Sequence, residues 1–134
     1  MALKWYTVVI DCHDPQAQAH WWAKALDWQV VYDTPDEAVA IPTGMTEEPV
    51  DDLAEWIARG QGLVFVPVPE GKALKNRLHI DLAPHTSQDR DAEIARLIDL
   101  GATRVDVGQS DDVTWTVLAD PEGNEFCVLS SRNR

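Results

Sequence analysis

Basic residues are scarce in this chain. Eleven Lys and Arg stand against 23 Asp and Glu, for a net charge of −12. Phosphate backbones and anionic membranes are bound through clustered Lys and Arg, so the balance argues against nucleic acid and against a membrane surface as partners. Cysteine is rarer still, with only Cys12 and Cys127. Two cysteines make no disulfide framework, and they read as reduced thiols of a cytoplasmic protein. Long apolar runs are missing, since no stretch approaches the ~20 residues of a membrane span. The opening MALKWYTVVID has one Lys and then alternates as a strand does, which is not the pattern of a signal peptide.

What remains is the composition of a globular domain. Hydrophobic residues make up 45% and charged residues 25%, and 134 residues suit one domain with a proper core. The acidic balance suits solubility or the attraction of cationic ligands.

The clearest local signal is Trp115–Leu129, WTVLADPEGNEFCVL. Two apolar strands flank Asp120-Pro121-Glu122-Gly123-Asn124. Pro121 presets φ at a turn position and Gly123 is free to take positive φ, so the segment predicts a hairpin. Period-2 alternation puts Glu125, Cys127 and Leu129 on one face and Phe126 and Val128 on the other.

From the start, Lys4–Asp11 predicts a strand, with Thr7, Val9 and Asp11 on one face. Asp14 and Pro15 then open a helix over Pro15–Leu26 as N-cap and first helical residue. Its Trp21, Trp22, Ala25 and Leu26 recur at helical spacing and read as core. Strands follow at Trp28–Asp33 and Glu37–Pro42. Thr43–Gln61 breaks this rhythm. It is rich in acidic residues and holds a short amphipathic helix with Leu53, Trp56 and Ile57 on one stripe. It reads as a surface insertion packed by Trp56 or as a flap over a pocket. Leu63–Val68 is a fourth strand, and Pro69–Lys75 is a polar connector. Arg77–Ala83 predicts a fifth strand, in which Arg77, His79 and Asp81 alternate with Leu78, Ile80 and Leu82. Ser87–Leu100 predicts a helix on the stripe Ile94, Leu97 and Ile98, stopped by Gly101. Thr103–Val107 is a sixth strand, and the hairpin supplies the last two.

The order is βαβββ twice over, an internal repeat. Setting Thr7 on His79 requires an offset of 72, and setting Leu26 on Leu100 an offset of 74. The first module spans about 1–68, with the insertion at 43–61, and the second about 76–134. Each module alone would leave one sheet face exposed. The expected architecture is therefore α+β: one domain in which the two modules form one curved, eight-stranded mixed sheet around a cavity, helices outside.

These features resemble the vicinal oxygen chelate superfamily of glyoxalases, bleomycin resistance proteins and extradiol dioxygenases, and more narrowly its glyoxalase-like domain proteins. The resemblance is carried by Asp11-Cys12-His13-Asp14-Pro15, by the Trp21-Trp22…Ala25-Leu26 helix, by Lys75–Leu82 (KNRLHIDL) and by Asp120–Phe126 (DPEGNEF). It covers nearly the whole chain apart from Thr43–Gln61. Asp27 stands where the family often has Gly. The resemblance implies a metal held by His or Gln, Glu, His and Glu from the first, fourth, fifth and eighth strands. Carried onto this sequence, those positions fall on Thr7, near Val66, on His79 and on Cys127. A divalent ion wants three or four strong donors. One imidazole and one thiol are too few, so no metal and no other cofactor is expected.

Two functions follow. The first is a metal-independent binding protein for a small, cationic or aromatic molecule, of the bleomycin-resistance type, with Thr7, Val9, Val66, Arg77, His79, Asp81, Trp115 and Cys127 lining the site. The second is a small-molecule lyase, isomerase or dioxygenase relative using His79 as base or metal ligand. Fold alone does not choose between them. A purely structural alternative pairs Arg77 with Asp81. The resemblance also implies a homodimer.

Overall fold

A computed structural model describes residues 3–134. The chain divides into two compact units, one ending at Gly71 and the other beginning at Lys72. The boundary lies within the Pro69–Lys75 connector. Each unit contributes one four-stranded mixed sheet, and the fold is α+β with a βαβββ core in each half.

In the first unit, β1 (Thr7–Cys12) leads into α1 (Pro15–Leu26), followed by β2 (Trp28–Asp33) and β3 (Ala38–Pro42). A short α2 (Leu53–Ala58) precedes β4 (Gly62–Pro67). The sheet order is β1-β4-β3-β2, so the first and last strands lie side by side and parallel. The start of α1 follows from its sequence. The Asp14 carboxylate accepts from the Ala17 N–H at 3.1 Å, and Pro15 takes a position whose missing N–H costs the helix nothing. Trp21, Trp22, Ala19 and Ala25 are buried, and the helix lies against β2, β3 and β4. The two indoles meet edge-on, 5.2 Å apart at 82°. Leu63 and Phe65 of β4 are buried with Ala38 and Ala40 of β3. Asp27 ends the helix in the left-handed region at φ 57°, where the family's usual Gly would meet no steric cost.

The insertion forms α2, capped by Asp52, whose carboxylate accepts from Glu55 N–H at 2.8 Å. None of its residues is fully buried. Trp56 is held through its backbone, where Lys4 Nζ donates to its carbonyl at 2.7 Å, and the same ammonium sits 5.3 Å from the indole ring.

The second unit repeats the plan with β5 (Ile80–Leu82), α3 (Arg90–Leu100), β6 (Thr103–Arg104), β7 (Thr116–Ala119) and β8 (Glu125–Val128), in the order β5-β8-β7-β6. Ile94 and Leu97 are the buried stripe of α3. Arg90 fastens the start of that helix to the sheet. Its guanidinium donates to Leu129 O at 3.0 Å, Val128 O at 3.1 Å and Thr116 Oγ1 at 2.9 Å.

Several boundaries differ from the sequence expectation. The fifth strand is three residues long rather than seven, because the chain bends at Arg77 and Leu78. Leu78, on the apolar face of the expected strand, is 89% exposed. The sixth strand stops at Arg104 because Asp106, Gln109 and the positive-φ Gly108 form a turn. There Gly108 N–H donates to the Asp106 carboxylate and Val107 N–H to the Gln109 side chain. Helix α3 begins at Arg90 and not Ser87, because Asp89 is its N-cap. Among the described residues no helix is long and apolar enough to cross a membrane.

Candidate functional site

The hairpin of the second unit builds the site. The Asp120 carboxylate is buried and accepts from Glu122 N–H and Asn124 N–H, both at 3.0 Å. The Asp120 carbonyl accepts from Gly123 N–H at 2.9 Å, with Gly123 at φ +91°. This turn sets the register of β7 against β8, pairing Val117 with Cys127. On its other side β8 pairs in parallel with β5, which puts Asp81 beside Cys127.

Glu125 draws the preceding connector onto β8. Its carboxylate accepts from Lys72 Nζ at 3.1 Å and from Asn76 N–H at 3.0 Å. Burial pushes the Glu125 carboxyl up. The Asn76 amide, its own backbone N–H and the Lys72 ammonium outweigh this and hold it below the usual range.

These contacts bring His79, Asp81, Trp115 and Cys127 to one cavity of about 450 Å3 in the second unit. Its apolar lining is Val107, Val117, Leu129 and the partly exposed Trp115. Its polar lining includes His79, Asp81, Glu125 and Lys75. His79 Nδ1 lies 2.9 Å from Asp81 Oδ1 and 3.9 Å from Cys127 Sγ. Desolvation, and then the Asp81 charge, push the Cys127 thiol above its ordinary pKa of 9.0. By itself Cys127 is therefore a neutral thiol at pH 7 and a poor nucleophile.

Arg77 lies elsewhere. It is exposed, in the bend before β5, and does not line this cavity. His79 is the residue that pairs with Asp81. Three of the expected residues belong to the first unit. Thr7 donates to Gly62 O at 3.0 Å and lines a cavity of about 500 Å3 with Val64, Trp56, Met45 and other insertion residues. Val9 is 56% exposed and Val66 is half-buried. The two parallel ladders also revise the fourth-strand position. Val9 pairs with Val64 as Asp81 pairs with Cys127, so Val64 is the counterpart of Cys127 and Val66 lies two residues further along the same face.

Sequence reasoning missed the loop wall Val107–Gln109 and the part of Glu125. Glu125 and Leu129 were already on the face of Cys127 by alternation. The loop gave no such signal, because its placement depends on the Gly108 turn.

The family's usual metal does not fit these residues. The Thr7 hydroxyl is used on a backbone carbonyl, Val64 and Val66 offer no donor, and Cys127 stands where a carboxylate is expected. A hard, oxygen-rich site is therefore absent from those positions.

A family model described as a glyoxalase-like domain matches residues 7–129. No curated protein matches the sequence. Several solved structures share the fold. The fosfomycin resistance protein FosX of Listeria monocytogenes, complexed with Mn(II) and sulfate, is similar at a TM-score of 0.68 and 10% identity, over 98% of this chain and 93% of that one. A glyoxalase/bleomycin resistance protein/dioxygenase family enzyme of Burkholderia phytofirmans matches at 0.66 and 16%, over 97% and 100%. The bleomycin-binding protein of Streptomyces verticillus, complexed with copper(II)-bleomycin, matches at 0.56 and 16%, over 98% of each chain. At these identities the likeness speaks of fold and not of ligand. With two βαβββ units and a match running from Thr7 to Leu129, the chain belongs to the glyoxalase-like domain family of the vicinal oxygen chelate superfamily.

Proposed function

We propose that this protein binds a small cationic or aromatic molecule in the second-unit cavity without turning it over and without a cofactor. The observation that carries the reading is the lining of that cavity. An indole and three aliphatic side chains line the same cavity as the Asp81 carboxylate and the His79 imidazole, a space of drug-like size. A flat, positively charged ligand gains from both kinds of lining, by stacking on Trp115 and by pairing with Asp81. The net charge of −12 draws cations toward the chain. The bleomycin-binding protein of S. verticillus makes metal-free bleomycin the first probe. The setting that goes with this reading is a cytoplasmic homodimer, an assembly that light scattering on the purified protein reads directly.

The experiment is a thermal-shift screen in EDTA with bleomycin, other cationic antibiotics, aromatic metabolites and 2-oxoaldehydes. A ligand of the folded state raises the melting temperature by mass action. A bound cationic aromatic should saturate at one per chain and be unchanged on recovery. Trp115→Ala and Asp81→Asn should each remove most of the shift. No response to any cationic or aromatic compound, or a response indifferent to both substitutions, would sink the reading.

One observation favours a second reading, that of an enzyme. With the Nδ1–H of His79 donated to Asp81 at 2.9 Å, Nε2 is left as the basic nitrogen, the arrangement of an oriented general base. Product formation from a screened compound, lost in His79→Gln, would establish it over the binding reading.

A further inference from the structure

We infer that the first-unit cavity lined by the insertion is a second binding site, for an aliphatic diammonium or polyammonium, and that the Lys4 ammonium is its built-in occupant. The site goes beyond the function proposed above, which lies in the other unit. It is built on Thr43–Gln61, the stretch outside the sequence resemblance.

The argument starts from what Lys4 does. Its Nζ donates to the Trp56 carbonyl at 2.7 Å and sits 5.3 Å from the centroid of the Trp56 indole. That carbonyl belongs to the last turn of α2, where carbonyls have no intrahelical N–H to accept from. One residue therefore offers an acceptor and a π face to the same ammonium, the combination that holds an organic cation. Lys4 and Trp56 both line the cavity of about 500 Å3, which is far larger than one ammonium and of ligand size.

The rest of the lining suits a chain with a second charge. Glu37, Glu47 and Glu48 also line the cavity, and none of their carboxylates enters an ion pair or a hydrogen bond among the described residues. Arg59, the other cation there, is engaged by the Glu48 carbonyl and the Glu55 carboxylate. Val39 and Val64 supply apolar surface for a methylene chain. An aliphatic diamine can put one ammonium on Trp56 in place of Lys4 and the other among the glutamates. Because Lys4 holds the position by tether, it lowers the apparent affinity by the fraction of molecules in which it is away.

The test is calorimetric titration of the full-length protein with 1,4-diaminobutane at fixed ionic strength. The expected result is saturation at one per chain, with Lys4→Ala binding at least tenfold more tightly than the parent. Lys24→Ala makes the same change in charge elsewhere, on α1, and should bind as the parent does. Trp56→Ala should abolish binding, and Glu37→Gln, Glu47→Gln and Glu48→Gln together should weaken it at least tenfold. The three glutamates are exposed, so that variant stays folded by circular dichroism even if Trp56→Ala or Lys4→Ala does not. Asp81→Asn, which disables the second-unit cavity, should leave the titration unchanged, so failure of either site leaves the other standing. The proposal is overturned if the parent does not bind the diamine, if a folded Lys4→Ala binds no more tightly than Lys24→Ala, if binding survives in Trp56→Ala or in the glutamine variant, or if Asp81→Asn abolishes it.

Discussion

Removing the Asp120 carboxylate should loosen the hairpin that carries Cys127. Asp120 is 3% exposed, and its Oδ1 holds two backbone N–H groups at 3.0 Å, those of Glu122 and Asn124. A hydrogen bond to an ionised acceptor is worth about 1.5–3 kcal/mol, and an N–H left unpaired adds its own desolvation cost. Glu122 and Asn124 are only half-buried, so water recovers part of each loss. Asp120→Ala should therefore destabilise the protein by about 3 kcal/mol. At a urea m-value of ~2 kcal/mol/M this lowers the unfolding midpoint by about 1.5 M. Asp120→Asn keeps an acceptor oxygen without the charge and should lose roughly half as much. Because the same turn fixes the β7–β8 register, reaction of Cys127 with a thiol reagent should also quicken in Asp120→Ala. Urea unfolding followed by circular dichroism, with timed thiol labelling in native buffer, reads both. A midpoint within about 0.2 M of the parent, or an Asn variant as damaged as the Ala variant, would refute the reasoning.

Two further outcomes rest on other contacts. The Glu125 carboxyl sits below its ordinary 4.5 in the folded protein, so its ionised form stabilises the fold above that pH and the gain is lost as pH falls through the lowered value. Parent and Glu125→Gln should therefore differ in urea midpoint at pH 7 and converge in acid, and a constant gap across the series would contradict this. Arg90→Ala breaks three hydrogen bonds between α3 and the sheet and should cost about 2–3 kcal/mol in the same assay. Lys at that position should restore little, because a single ammonium does not reproduce the planar fork.

Much of this fold was legible because local signals and packing agree. Asp14-Pro15 and the Trp21, Trp22, Ala25 stripe define α1 to the residue, and the hairpin turn is where Pro121 and Gly123 put it. The fifth strand was misjudged in length, although Arg77–Ala83 alternates without a fault. Pairing, not alternation, sets a strand's length, and β8 offers only Phe126–Val128 to β5. Upstream, Glu125 captures the Asn76 amide and the chain bends. The same bend removes Arg77 from the site and leaves Asp81 to His79. Alternation put His79, Asp81 and Cys127 in the cavity. That Asp81 stands beside Cys127 could not be read, because it depends on the register of strands more than forty residues apart.

The parallel pairing of β5 with β8 also has a consequence for synthesis. His79 and Asp81 leave the ribosome tens of residues ahead of Cys127, and β8 is the last strand of the chain. Parallel neighbours joined by so long an excursion are slow to find one another, since the loop must close before the contact is rewarded. Until β8 arrives, β5 has no partner, and the trio does not exist even in outline. A ribosome-bound chain lacking its final strand therefore carries the imidazole and the carboxylate but not the cavity, whose Glu125 and Cys127 come from β8.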